Sequence, residues 1–324
     1  MNLVSPPFTG NVLVIGALGQ IGQELTEALR TRYGASRVIP ADIRLPVPAI
    51  PGFISLNVLD RDALRDVVRQ YDIRVIYNLA AILSARGEQD PVGAWQINMD
   101  GLMNTLEVMR ETGIRQLFWP SSIAVFGHSS PRDETPQACV MEPATVYGIS
   151  KLAGERWCDY YTTRYGLDVR SLRYPGLIGY KSLPGGGTTD YAVDIFHQAI
   201  LQGQYQVYLR EDTRLPMMYM PDAMRATIAL MEAPQEQLST RSAYNLAGVS
   251  FTPGEIAAEI QKHIPGFTCS YAPDFRQAIA DGWPRSIDDS VAREDWHWQP
   301  AFTLETMVAD MLQHVQAWYQ AAHV

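Results

Sequence analysis

Asn11-Val12-Leu13-Val14-Ile15-Gly16-Ala17-Leu18-Gly19-Gln20-Ile21-Gly22 decides the fold. Its first five residues form a short apolar run stopped by a glycine, which reads as a parallel strand buried on both faces. From Gln20 to Tyr33 the residues Ile21, Leu25, Ala28 and Leu29 recur at helical spacing, and Gly34 stands where a C-cap belongs. Between the two lies a GxxGxxG pattern. Such a pattern serves a tight turn, close approach of backbone to a pyrophosphate, and close helix–strand packing. The helix start then offers N–H groups and a positive dipole end to phosphates.

Outward from this stretch the alternation continues. Strands are predicted at Arg37–Ala41 (ending at Asp42), Phe53–Leu56, Val75–Ala81, Arg115–Trp119 and Asp168–Arg173. Helices are predicted from Asp60 through Tyr71, around Ala94–Glu111, and over Val146–Tyr165. Asp60 serves equally as helix cap or adenine contact. Strands separated by helices of this length predict right-handed βαβ units and an α/β fold with a Rossmann-type, doubly wound parallel sheet. After Pro175 the texture changes: Leu183–Gly187 reads as a flexible loop, and Asp281–Pro284 is turn-rich. Residues 9–178 are therefore expected to form a dinucleotide-binding domain, with segments at about 217–248 returning to it. Residues 179–324 are expected to form mainly a smaller α/β substrate-binding domain.

Asp42 ends the second strand 20 residues after Gly22, where a ribose-binding carboxylate is expected. A carboxylate accepts bonds from the 2′-OH of NAD and repels the 2′-phosphate of NADP. Arg44 nearby pulls the other way; NAD is the reading taken.

Tyr147-Gly148-Ile149-Ser150-Lys151 is a YxxxK at a helix start, so both side chains share a face. A tyrosine of pKa near 10 is too weak a base at neutrality. Lowering it to about 7 takes roughly 4 kcal/mol, and an ammonium at about 5 Å supplies on the order of 3 kcal/mol. A positively charged nicotinamide would add the remainder, making the pair competent as a general base for an alcohol. Ser121 and Ser122 follow the fifth strand at the carboxyl edge of the sheet, where ligands bind.

Composition excludes several classes. With 324 residues, 47% hydrophobic and 19% charged, the chain has ordinary enzyme composition. A net charge of −9 argues against a nucleic-acid partner. Cys139, Cys158 and Cys269 form no CxxC, and the histidines show no metal-ligand spacing, so neither a metal nor a disulfide framework is expected. Without a signal-like start or a run of about 20 apolar residues, no membrane association is expected and a cytoplasmic location is.

GxxGxxG, Asp42, Asn78-Leu79-Ala80-Ala81, Ser122 and Tyr147-xxx-Lys151 together resemble the extended short-chain dehydrogenase/reductases, the NAD-dependent epimerase/dehydratase superfamily. By that resemblance Ser122, before Ile123-Ala124-Val125-Phe126-Gly127, takes the catalytic Ser/Thr position, and Arg173-Tyr174-Pro175-Gly176 passes the nicotinamide. Ile15 and Phe126 depart from the usual Thr and Tyr at positions that carry no chemistry. Ile-Ala after Ser122 lacks the acidic pair of sugar-nucleotide 4,6-dehydratases, which disfavours elimination.

A narrower resemblance lies in Pro184–Ala192, Leu215–Asp222 and Gly282–Ser286, which look like the short-chain, zinc-independent L-threonine 3-dehydrogenases. It implies NAD-dependent oxidation of the β-hydroxyl of L-threonine to 2-amino-3-oxobutyrate, with Ser122, Tyr147 and Lys151 catalytic. Implied cofactor contacts are Gly16, Gly19, Gln20, Ile21, Gly22, Asp42, Arg44, Asn57, Val58, Leu79, Ala80, Ala81, Asn98, Tyr147, Lys151, Tyr174 and Pro175. Implied substrate contacts are Ser84, Ser122, Tyr147, Gly186, Thr188 and Trp283, with backbone N–H groups of Gly185–Thr188 meeting the substrate carboxylate. A homodimer through the helices around 94–111 and 145–165 is implied by similar enzymes. An NDP-sugar epimerase is the nearer rival. A non-catalytic NAD-binding regulator is the remoter one, since Ser122, Tyr147 and Lys151 are all present.

Overall fold

A computed structural model describes residues 9–114 and 116–322. Strand β1 (Asn11–Ile15), helix α1 (Gln20–Tyr33), β2 (Val38–Asp42), β3 (Ile54–Ser55), α2 (Arg61–Gln70) and β4 (Ile73–Asn78) open the chain. Then come α3 (Ser84–Gly87), α4 (Pro91–Trp95), α5 (Gly101–Thr112), β5 (Gln116–Phe118), β6 (Ser121–Ser122), α6 (Val146–Tyr165), β7 (Asp168–Arg170), β8 (Leu172–Tyr174) and β9 (Gly176–Ile178). The second half holds α7 (Tyr191–Gln202), β10 (Gln204–Val207), β11 (Leu215–Tyr219), α8 (Met220–Glu232), β12 (Tyr244–Asn245), β13 (Val249–Phe251), α9 (Pro253–His263), β14 (Thr268–Tyr271), α10 (Arg276–Asp281), α11 (Ser290–Trp296) and α12 (Leu304–Ala322).

Six parallel strands form the central sheet in the order β3-β2-β1-β4-β5-β7. Alternation along β1 explains its two cores, because successive side chains leave opposite faces. Val12 and Val14 pack with Leu25 and Leu29 of α1 and with Ala223, Ala226 and Leu230 of α8. Leu13 and Ile15 pack with Leu64, Leu102, Leu106, Cys158 and Tyr161 from α2, α5 and α6. Each such fully buried aliphatic side chain contributes roughly 1.5–3 kcal/mol. The doubly wound sheet expected from the sequence is present.

Two elements differ from expectation. The predicted strand Asp168–Arg173 is two strands: β7 closes the central sheet, whereas β8 pairs with β6 and β12. The ladder with β5 ends as Trp119 N–H donates to the Arg170 carbonyl at 3.1 Å, and beyond it Ser121 pairs with Arg173. The predicted helix Ala94–Glu111 is interrupted by a π-helical turn, Gln96–Asp100, between α4 and α5. That wide turn holds Asn98, whose amide bonds two other segments. Arg115, predicted to start the fifth strand, lies outside the described residues.

A third core gathers Ile195 and Phe196 of α7, Ile256 and Ile260 of α9, and Met311 and Val315 of α12 around Val125 and Phe126. In this half β11 pairs parallel to β9 and antiparallel to β13, while β10 pairs with β14. No helix among the described residues is long and apolar enough to cross a membrane.

Candidate active site

The chain leaves β1 through Gly16, whose φ of 81° no residue with a Cβ adopts easily, and a Cβ there would stand 3.0 Å from the Leu79 and Ala80 backbone. A Cβ on Gly22 would stand 2.1 Å from the Gly16 carbonyl oxygen. Helix α1 begins with neither a side-chain cap nor an acid in its first turn, among the described residues. Its positive end is left for an anion. This loop fits the pyrophosphate of a dinucleotide.

Gly16, Gly19, Gln20, Ile21, Gly22, Leu79 and Ala81 line a cleft whose wall continues through Ser84, Ser122, Tyr147, Lys151, Tyr174, Pro175, Thr188 and Trp283. The structure thus brings together most residues singled out in the sequence, from both halves of the chain. Asp42 and Arg44 lie outside this wall, at the end of β2. Asp42 Oδ2 accepts the Leu18 N–H at 3.0 Å, and Oδ1 accepts Arg44 N–H at 3.0 Å and Nε at 3.1 Å. Burial alone would raise the Asp42 pKa, but the Arg44 side chain and backbone N–H donors outweigh it and hold the carboxyl below its usual range. It is an anion at neutrality.

Four further residues named as cofactor contacts make contacts within the chain. The Ala80 N–H is held by Asn78 Oδ1 at 3.2 Å, and Asn57 Oδ1 accepts the Leu59 N–H at 3.0 Å. Val58 is buried against Gly101. Asn98 Oδ1 accepts the Ile82 N–H at 2.8 Å, while its Nδ2 donates to Ile82 O and Ser150 Oγ, both at 3.1 Å. None of these four lines the cleft; Asn98 ties the segment after β4 to α6. Asp60 caps α2 by accepting the Ala63 N–H at 3.0 Å.

At the chemical end, Thr145 caps α6 through the Gly148 N–H at 3.1 Å and so fixes the turn that presents Tyr147. Tyr147 and Ser122 share the cleft wall, and the Ser122 side chain favours the ionised form of the Tyr147 hydroxyl. Lys151 is 2% exposed, donates from Nζ to the Pro120 carbonyl at 2.7 Å, and lies 4.3 Å from the Trp119 ring centroid and 5.5 Å from that of Tyr147. Ser121 turns its hydroxyl to Glu155 at 2.6 Å.

Without cofactor, both acidities move against the charged forms. Burial pushes the Tyr147 phenol up to about 12, only partly opposed by the Ser122 side chain. Burial likewise pushes Lys151 down to about 7, against the pull of Cys158 and Glu155. Both charged forms lose water, and the ammonium is spent on the Pro120 carbonyl. Moving the phenol from about 12 to near 7 takes roughly 7 kcal/mol, more than twice what one ammonium supplies. Without cofactor, Tyr147 is therefore expected to remain a phenol through neutrality. Tyrosinate absorbance titrated in the wild type and Tyr147→Phe tests this: a difference between them below about pH 9 would refute it.

Ser84 Oγ lies 3.3 Å from Thr188 Oγ1 across the cleft wall. Gly186 lies off the wall, and the Gly186 and Gly187 N–H groups donate to Asp190 Oδ2 at 2.7 and 2.8 Å. The N–H donors expected for a substrate carboxylate are thus engaged by a carboxylate of the chain itself. Asp190 escaped the sequence reading; its signal is an acid immediately before the helix pattern at Tyr191. It is the one carboxylate in the cleft wall, and Lys151 the one ammonium, among the described residues. Trp283 is buried, and the segment after it is held by the Thr135–Ile287 bridge. Among the described residues no cluster of three or more His, Cys, Asp or Glu is arranged to hold a metal.

Residues 12–247 match the NAD dependent epimerase/dehydratase family. The chain belongs to that family. Within the NAD dependent epimerase/dehydratase fold, it is similar to the holo form of a GalE-like L-threonine dehydrogenase from Cupriavidus necator. That likeness has 56% identity and a TM-score of 0.92 over 94% of this chain and 99% of the other. A mitochondrial L-threonine 3-dehydrogenase of Bos taurus is 48% identical over 93% of this chain and 81% of its own length. A monomeric L-threonine 3-dehydrogenase from a metagenome is 45% identical with a TM-score of 0.93, covering 95% of this chain and 99% of the other.

Proposed function

We propose that the chain oxidises the β-hydroxyl of L-threonine with NAD, giving 2-amino-3-oxobutyrate and NADH. What carries this reading is the meeting of Ser122, Tyr147 and Lys151 with Ser84, Thr188 and Trp283 beside the glycine loop, in one cleft. Its resemblance to threonine dehydrogenases at 48–56% identity supports the substrate.

When bound, NAD supplies the hydride acceptor and a positive ring charge. The Gly16–Gly22 loop and the start of α1 would hold its phosphates, Asp42 its ribose hydroxyls, and Tyr174 and Pro175 would flank its reactive end. Ser122 orients the substrate hydroxyl. Under the Lys151 ammonium and that ring charge Tyr147 would lose its own proton to solvent; the phenolate Oη then takes the hydroxyl proton and becomes a phenol again. Losing the proton lets Cβ release its hydride. A zwitterion taken from water needs partners for both charges. Ser84 and Thr188 offer hydroxyls to the carboxylate, and Asp190 gives the cleft its negative charge for the ammonium.

In this reading residues 9–178, with about 217–248, bind the cofactor and residues 179–324 mainly bind substrate. The protein acts in the cytoplasm as a homodimer. Exposed Trp157, Tyr160 and Tyr165 on α6 support a helix-to-helix contact between copies.

The test is spectrophotometric. NADH is expected to accumulate with L-threonine and not with UDP-glucose. An epimerase withdraws a hydride and returns it, so interconversion of a sugar nucleotide without net NADH, and no response to threonine, would overturn the proposal.

A further inference from the structure

Three successive residues of one short segment meet three successive turns of α6. The Pro120 carbonyl accepts Lys151 Nζ at 2.7 Å, Ser121 Oγ donates to Glu155 Oε1 at 2.6 Å, and Ser122 shares the cleft wall with Tyr147. Tyr147, Lys151 and Glu155 are spaced by four, so they lie along one face of the helix. The rungs at Tyr147 and Lys151 belong to the proposed chemistry. The Glu155 rung has no part in it.

Glu155 is 0% exposed and its partner Arg173 2%. Glu155 Oε1 accepts Arg173 Nε, and Oε2 accepts Nη2, both at 2.9 Å. Arg173 stands in register with Ser121 between β8 and β6. Its Nη1 donates to the Gln137 carbonyl at 2.9 Å and to Asn245 Oδ1 at 3.0 Å. Both charges are thus fully engaged. Stability is a poor reason for such a pair, because well-packed apolar residues often serve a buried position as well or better. Geometry is a better one. Strand β6 is only two residues long, and the Glu155 rung fixes it to the helix that presents the base.

We propose that Glu155, clamped by Arg173, is a positioning residue that sets the height of Pro120–Ser122 along α6, and thereby the placement of Ser122 relative to Tyr147 and the Lys151–Pro120 contact. The inference rests on the reading that Ser122, Tyr147 and Lys151 perform the oxidation. A misplacement of about 1 Å in such groups costs on the order of 100-fold in rate.

Ser121→Ala breaks the rung and leaves the ion pair whole. Its kcat for L-threonine is expected to fall about tenfold or more, with KM and NADH affinity within about threefold and an unchanged melting temperature. Glu155→Leu/Arg173→Met removes both charges together and is expected to lose kcat similarly. Adding Ser121→Ala to that variant should cost no more than about twofold further, since the rung is already gone. A merely structural pair would move the melting temperature and leave kcat alone. Wild-type turnover in Ser121→Ala, or full additivity of the losses, overturns the inference.

A crystal structure of Ser121→Ala reads the positioning without turnover. The Lys151–Pro120 hydrogen bond is expected to lengthen and Ser122 to move relative to Tyr147; retention of both placements overturns the inference. Wild-type protein that forms no NADH from threonine would remove the substrate reading instead, and the crystal comparison would still decide the positioning.

Discussion

Tyr147→Phe is expected to lower kcat for L-threonine by at least about 100-fold while leaving NADH affinity within about twofold. The change removes one oxygen and keeps the ring that packs beside Lys151. No neighbour takes over as base. Lys151 is committed to the Pro120 carbonyl, and the Ser122 Oγ already accepts the Ala124 N–H at 3.2 Å. Steady-state kinetics with a fluorescence titration of NADH measures both quantities. A variant retaining a tenth or more of wild-type turnover would end the assignment of Tyr147 as base.

Gly22→Ala is expected to weaken NADH binding by about 100-fold or more. Its Cβ would meet the Gly16 carbonyl oxygen at 2.1 Å, the Ala17 Cα at 2.7 Å and the Ala17 carbonyl carbon at 2.9 Å. All three are backbone of the loop that would carry the pyrophosphate, so none can swing aside. Losing two hydrogen bonds to a charged group, at roughly 1.5–3 kcal/mol each, accounts for the magnitude. Gly266→Ala is the control, because its Cβ would meet nothing within 4 Å and its φ is not positive. NADH titration of the two variants decides the matter. Equal affinities would show that the loop tolerates displacement and that the phosphates bind elsewhere.

Local patterns read correctly where local physics sets them. The apolar run at Val12–Ile15, the glycines at 16, 19 and 22, and the shared face of Tyr147 and Lys151 each follow from chain geometry over a few residues. The misreadings come from distant partners. Residues 168–173 look like one strand because nothing within them signals that Arg173 turns to Glu155 and pairs beside Ser121. The partners of Asn98 are equally invisible locally, since only the folded chain brings Ile82 and Ser150 to its amide. The burial of Tyr147 has the same origin. The spacing to Lys151 is visible in the sequence, but the burial that opposes both charges is contributed by the rest of the fold.

The π-helical turn at Gln96–Asp100 makes changes of chain length unequal across the protein. Trimming one residue there would let the coil from Pro91 to Thr112 run with regular pitch, a local improvement. It would also remove the wide turn that presents the Asn98 amide to Ile82 and Ser150. A deletion tolerated in an outer turn would here yield a more ideal coil and a poorer protein.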